Sequence, residues 1–225
     1  NRIIKWTPIG IVSDFLAPVF EGVPVEDRFS GSNGITVAPN GDIVFTEHFN
    51  GRISRVSADG TRSTVVDNYE GNRLNSPNDL IIDRKDRIWF TDPRYGDYRD
   101  DMELGHESVF RCDPQEDGAW KISRMTYDTT SPNGLVLSPD QKTLYVAQSK
   151  YGEGEKRELR GYPILEDDTL GSCEVLHNFY PHRAIDGMRV DAAGNMIAAA
   201  GWSESGPGPM IYVFAPSGRV LSTHP

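Results

Sequence analysis

Four segments of this chain share one plan, and that repetition limits the fold more than any single motif does. Aligned on their opening residues they read NGITVAPNGDIVFTE from Asn33, NDLIIDRKDRIWFTD from Asn78, NGLVLSPDQKTLYVAQ from Asn133 and DGMRVDAAGNMIAAA from Asp186. In each, a short apolar run ends in a turn (PNGD, RKDR, PDQK, AAGN), and a second run begins at Ile43, Ile88, Leu144 or Met196. The offset from opening residue to second run is 10, 10, 11 and 10. Short β-branched and aromatic runs split by such turns predict β-hairpins. Two of the openings are nearly identical, SPNDL at 76–80 and SPNGL at 131–135.

A third strand-like run follows each hairpin, at GRISRV (51–56), SVFRC (108–112), LRGYPI (159–164) and MIYVF (210–214). A weaker fourth comes after it, at TRSTVV (61–66), WKISR (120–124), SCEVL (172–176) and GRVLS (218–222). Four antiparallel strands recurring every 45–55 residues describe the blades of an all-β propeller. No stretch has helical periodicity long enough to compete.

In a propeller the first strand of every blade runs along the central channel. Asn33, Asn78, Asn133 and Asp186 are therefore expected to converge at one mouth of it. Pairing about the hairpin turn places Glu47 opposite Asn33, Asp92 opposite Asn78, Gln148 near Asn133 and Ala200 opposite Asp186. Three long Gly- or Pro-rich connections, PRYGDYRDDMELGHE, SKYGEGEKRE and GWSESGPGP, rise on the same face and read as pocket walls. Amide and carboxylate oxygens gathered without thiolates suit one hard divalent cation. Ca²⁺ fits best, with Mg²⁺, Mn²⁺ or Zn²⁺ as alternatives. Such an ion polarises carbonyls, and Asp186 beside it can orient a water or take its proton. The competing reading is that each Asn or Asp merely caps its own turn. A shared offset at all four positions favours convergence.

Composition narrows the partners. A net charge of −10 argues against nucleic acid and anionic membranes, which attract basic surfaces. The two cysteines, Cys112 and Cys173, make neither a disulfide framework nor a thiolate site. No apolar run approaches the roughly 20 residues that span a bilayer, and NRIIKWTPIG contains no secretory apolar core. A soluble chain of 225 residues has room for one domain over 1–225 with a real core. There is no phosphate loop, no G-x-S-x-G elbow and no H-E-x-x-H.

The ordered set RLNSPNDLI (73–81), IWFTDP (88–93), PNGL (132–135), LYV (144–146) and IDGMRVD (185–191) resembles the gluconolactonase family, also called the senescence marker protein or regucalcin family. The likeness runs from about Asn33 to Leu221 and is closest to the bacterial gluconolactonase branch; Glu47-His48 also has a counterpart there. The resemblance implies a six-bladed propeller with one catalytic divalent metal that hydrolyses small sugar lactones. Carried over by position, it implies metal ligands at Asn78, Asn133 and Asp186, with Asp186 also the catalytic base. Asn33, Glu47, His48 and Asp92 follow as substrate-side or supporting groups. The family's fourth ligand, a glutamate in Glu-Gly-Pro-Val-Trp, has no counterpart here; Glu21-Gly22-Val23-Pro24-Val25 is only superficially similar.

Four full blades and parts of two others are expected, with material of the ring missing at both ends. Tyr95, Tyr98 and Trp202 are expected in pocket walls. Arg73 is balanced between substrate contact and a surface ion pair, and His106 and His182 are expected to be solvated. Other readings of the same pattern are a propeller esterase of different specificity and a non-catalytic propeller that binds calcium or a partner.

Overall fold

A computed structural model describes residues 2–20, 30–96, 99–150, 152–203 and 205–225. Among them are twenty strands and no helix, hence no helix long and apolar enough to cross a membrane. Sixteen strands form four antiparallel sheets, each in simple sequential order. The first blade comprises β3 (Ser32–Val37), β4 (Ile43–Glu47), β5 (Arg52–Val56) and β6 (Arg62–Val66). The second comprises β9 (Leu80–Ile82), β10 (Ile88–Asp92), β11 (Ser108–Pro114) and β12 (Trp120–Arg124). The third holds β13 (Pro132–Leu137), β14 (Thr143–Ser149), β15 (Arg157–Pro163) and β16 (Glu174–Asn178). The fourth holds β17 (Ile185–Val190), β18 (Met196–Trp202), β19 (Ser205–Phe214) and β20 (Val220–His224). A hairpin of β1 (Ile3–Trp6) and β2 (Val12–Leu16) precedes them.

The turn that closes each inner hairpin takes one shape. Gly41, Asp86, Gln141 and Gly194 occupy the same turn position with φ of 89°, 58°, 58° and 86°. That left-handed conformation suits the twist of a hairpin and is why glycine or a turn-tolerant residue recurs there. A small ribbon, β7 (Asn68–Tyr69) and β8 (Asn72–Arg73), closes on Glu70-Gly71, both with positive φ. Within GWSESGPGP the expected open loop is shorter than its composition suggests. β18 and β19 run on until Trp202 pairs with Ser205.

The core lies in the seams between sheets. Val44 and Ile53 of the first blade pack with Leu80, Ile88, Phe90 and Phe110 of the second. Trp89 and Val109, on the opposite face of that second blade, pack with Leu135, Leu144 and Val146 of the third. Val136, Tyr145 and Leu159 of the third face Met188, Met196 and Phe214 of the fourth. Strands β10 and β14 are thus buried on both faces, which explains their unbroken apolar runs. Phe90 and Phe110 stack at 5.6 Å and both are fully buried, each contributing roughly 1.5–3 kcal/mol. Stacked this way, the blades set β3, β9, β13 and β17 side by side along one channel.

Candidate active site

Each inner strand opens on a β-bulge, and the bulge carries the site. Ser32 pairs with Glu47 and Ile35 with Phe45, so Asn33 and Gly34 together face Thr46. Asn133-Gly134 likewise faces Ala147, and Asp186-Gly187 faces Ala199. In the second blade the Asn78 N–H donates to the Thr91 carbonyl at 2.8 Å, and the Thr91 N–H donates to the Asp79 carbonyl at 3.0 Å. The extra residue bends the strand and re-aims its side chain. This corrects two expected pairings: Glu47 lies opposite Ser32 and Ala200 opposite Ile185, whereas Gln148, opposite Pro132, does lie near Asn133.

The bulges bring four side chains together. Asn33 Nδ2 donates to Asn78 Oδ1 at 3.0 Å, and Asn133 Nδ2 donates to Asp186 Oδ1 at 3.0 Å. Asn78 and Asn133 are buried, while 62% of the Asp186 side chain is exposed. All four border two adjoining cavities. The outer one, about 460 Å³, adds His48, Tyr95 and Arg183. The deeper one, about 580 Å³, adds Asp79, Met188 and Arg189 with an apolar side of Ile35, Ile197 and Ile211. Arg183 Nη2 stands 3.7 Å from Asp186 Oδ2.

Glu47 and Asp92 do not join this group. Both are fully buried and border neither cavity. Burial alone would raise the Glu47 carboxyl, but hydrogen bonds from Arg52, Ser54, Arg62 and Asn50 hold it below its ordinary range. Asp92 accepts the N–H groups of Asn75 (2.9 Å) and Ser76 (2.8 Å), and burial pushes it up to about 7 against those bonds. Gln148 Oε1 accepts the N–H groups of Thr130 and Ser131 at the matching place. Asp92 and Gln148 therefore brace the Ser-Pro segments that lead into Asn78 and Asn133. That shared support is the physical content of the SPNDL and SPNGL repeat.

His48 does border the outer cavity. Its burial, and then the charge of Arg94, lower it to about 4 against a hydrogen bond to the Pro77 backbone, so the ring is neutral at pH 7. Asp79 is pushed up by burial, opposed by the Leu80 and Leu135 N–H groups and by Arg189. Arg73 turns to the Phe49 carbonyl, and His106 packs against Phe110 and bonds Ser108. Trp202 and His182 border neither cavity. Glu21 and Tyr98 lie outside the described residues. Sequence reasoning passed over Arg183, three residues before Asp186, and Asp79, the residue after Asn78; neither forms a pattern of its own in the sequence.

Among the described residues no three His, Cys, Asp or Glu side chains gather into a metal-binding group. The oxygen donors that do meet are the amides of Asn33, Asn78 and Asn133 and the carboxylate of Asp186. That set is poor for a soft transition metal and suited to a hard cation with open positions.

Four bladed sheets around an oxygen-lined channel define a β-propeller with a candidate site at its mouth. The model of the family described as SMP-30/Gluconolactonase/LRE-like region matches residues 6–224, and the chain belongs to that family. A gluconolactonase of Zymomonas mobilis is 37% identical over 98% of this chain, which spans 62% of that protein's length. A lactonohydrolase of Aspergillus oryzae is 28% identical over 63% of this chain and 37% of its own length. The structure of a gluconolactonase from Xanthomonas campestris superposes with a TM-score of 0.77 at 33% identity, over all of this chain and 68% of the other.

Proposed function

We propose that this protein hydrolyses lactones, aldonolactones first, using one divalent cation, Ca²⁺ before Mg²⁺, Mn²⁺ or Zn²⁺. Asn78, Asn133 and Asp186 would hold the ion. The observation that carries the reading is the meeting of these side chains at one cavity, with Asn133 and Asp186 joined at 3.0 Å. The gluconolactonase and lactonohydrolase relatives support the substrate class. When bound, such a cation supplies Lewis-acid polarisation of the ester carbonyl.

This chain's residues divide the remaining work. Asp186 orients a water and takes its proton as the water oxygen bonds to the carbonyl carbon. As the carbonyl re-forms from the tetrahedral oxyanion, the ring C–O bond breaks and the ring oxygen takes the proton back from Asp186, giving the hydroxy acid. Neutral His48 and the Asn33 amide would hydrogen-bond substrate hydroxyls and Tyr95 would form wall, a reading supported by their shared cavity. Glu47 and Asp92 act from behind. Asp92 fixes the backbone that presents Asn78, and Glu47 braces the first blade.

We also propose that the four blades belong to a six-bladed ring. The support is the two-thirds share of the Xanthomonas structure that they cover, together with apolar side chains exposed on both outer sheets. Trp6, Val12 and Ile4 are exposed on the first hairpin, and Ile197, Ile211 and Leu221 on the fourth blade. The test of function is a pH-indicator assay on glucono-δ-lactone comparing wild type with Asp186→Ala. Loss of turnover with an unchanged circular dichroism spectrum is expected. Wild-type turnover in the variant would reject Asp186 as the base.

A further inference from the structure

The inner strands open on Asn-Gly, Asn-Asp, Asn-Gly and Asp-Gly, so only the second blade puts a carboxylate where the others have glycine. That residue, Asp79, lies in the wall of the deeper cavity beside Asn78. Its Oδ1 accepts the Leu80 N–H at 2.9 Å. From the other side the first blade packs on it. A Cβ at Gly34 would stand 2.8 Å from the Asp79 Cα and 3.1 Å from its Oδ1. The side chain thus sits where the strand openings that carry Asn33 and Asn78 meet.

Local turn chemistry does not demand this carboxylate, because three equivalent bulges form with glycine in its place. Charge supplies a reason for it. Two neutral amides and Asp186 offer a dication a single negative charge, and Asp79 is the second carboxylate bordering the same cavity. Arg189, on β17 in that wall, opposes it.

We infer that Asp79 is a positioning residue for the cation site: packed where the Asn33 and Asn78 openings meet, it holds the Asn78 opening through the Leu80 N–H and supplies the second negative charge that sets ion affinity. This rests on the proposed cation-dependent function. An outer-sphere partner of this kind typically governs about 10–100-fold in affinity.

The experiment is Ca²⁺ titration by isothermal calorimetry on the full chain after chelator treatment, with thermal melts run with and without Ca²⁺. Asp79→Asn keeps the shape and one acceptor oxygen but removes the charge. Asp79→Gly installs the residue of the other three blades. Both variants are expected to raise the Ca²⁺ Kd about tenfold or more and to shrink the rise in Tm that Ca²⁺ gives wild type. A merely structural residue would lower Tm equally with and without Ca²⁺ and leave Kd at the wild-type value; that result overturns the inference and spares the proposed function. Wild type that binds no Ca²⁺, Mg²⁺, Mn²⁺ or Zn²⁺ would overturn both. If Asp79→Gly fails to fold, Asp79→Asn decides.

Discussion

Replacing Gly134 by alanine should damage both stability and turnover, and the structure supplies the size of the effect. A Cβ at Gly134 would stand 2.6 Å from the Asp186 carbonyl oxygen and 3.0 Å from the Gly187 Cα, both backbone atoms of the next blade. Ordinary contact begins at 3.4 Å, so β13 and β17 must part by up to about 0.8 Å. Overpacking of this kind costs about 1–3 kcal/mol, a fall in Tm of roughly 2–12 °C for a chain this long. The same movement separates Asn133 from Asp186. Misplacement approaching 1 Å costs on the order of 10²-fold in rate, so kcat/KM for the lactone should drop by about one to two decades. Gly187→Ala is the control for stability. Its Cβ meets nothing within 4 Å, and its φ lies outside the left-handed region. Reduced freedom of the unfolded chain should stabilise that variant by about 0.4–1 kcal/mol. Scanning calorimetry on both proteins reads the contrast. Gly134→Ala melting at or above wild type, or both variants shifting alike, would refute the close approach of the inner strands.

Removing Asp92 as Asp92→Ala strands two buried N–H groups, at about 1–3 kcal/mol each, and urea unfolding should show a loss of at least ~2 kcal/mol. His48 gives a pH signature. Its folded pKa of about 4 lies below the unfolded value near 6.5, so its contribution to stability is present above pH 6.5 and is lost as pH falls toward 4. His48→Gln should flatten the stability–pH slope in that window, measured by urea midpoints from pH 4 to 8; an unchanged slope would assign the slope to other groups. Gln148→Ala should act on the third blade as Asp92→Ala acts on the second, though more weakly, because Gln148 is neutral and the two N–H bonds it accepts are longer at 3.1 and 3.4 Å. Comparing the two urea midpoints tests the shared bracing role.

The propeller was legible because every blade repeats its hairpin at nearly one offset and its turn at one position. β10 and β14 read as strands because burial on both faces gives each an unbroken apolar run, IWF and LYVA. The convergence of Asn33, Asn78, Asn133 and Asp186 followed from their places at the strand openings. The bulges behind it were not legible, since a two-residue bulge and a regular pair look the same in sequence. That hidden residue is why Glu47 and Asp92, expected beside the asparagines, sit behind them as braces. The roles of Gly34 and Gly134 were also hidden, because they depend on the backbone of the next blade. Arg183 and Asp79 went unread for a related reason: a single charged residue beside a motif gives no pattern until the blades place it against a cavity.

Turnover of glucono-δ-lactone by chelator-stripped protein, before and after Ca²⁺ is restored, bears most directly on the account. Clustered oxygen donors acting through a divalent ion predict background hydrolysis in EDTA and recovery of rate when Ca²⁺ is added in excess. A rate well above background that EDTA leaves untouched, in protein shown to be metal-free, would contradict it.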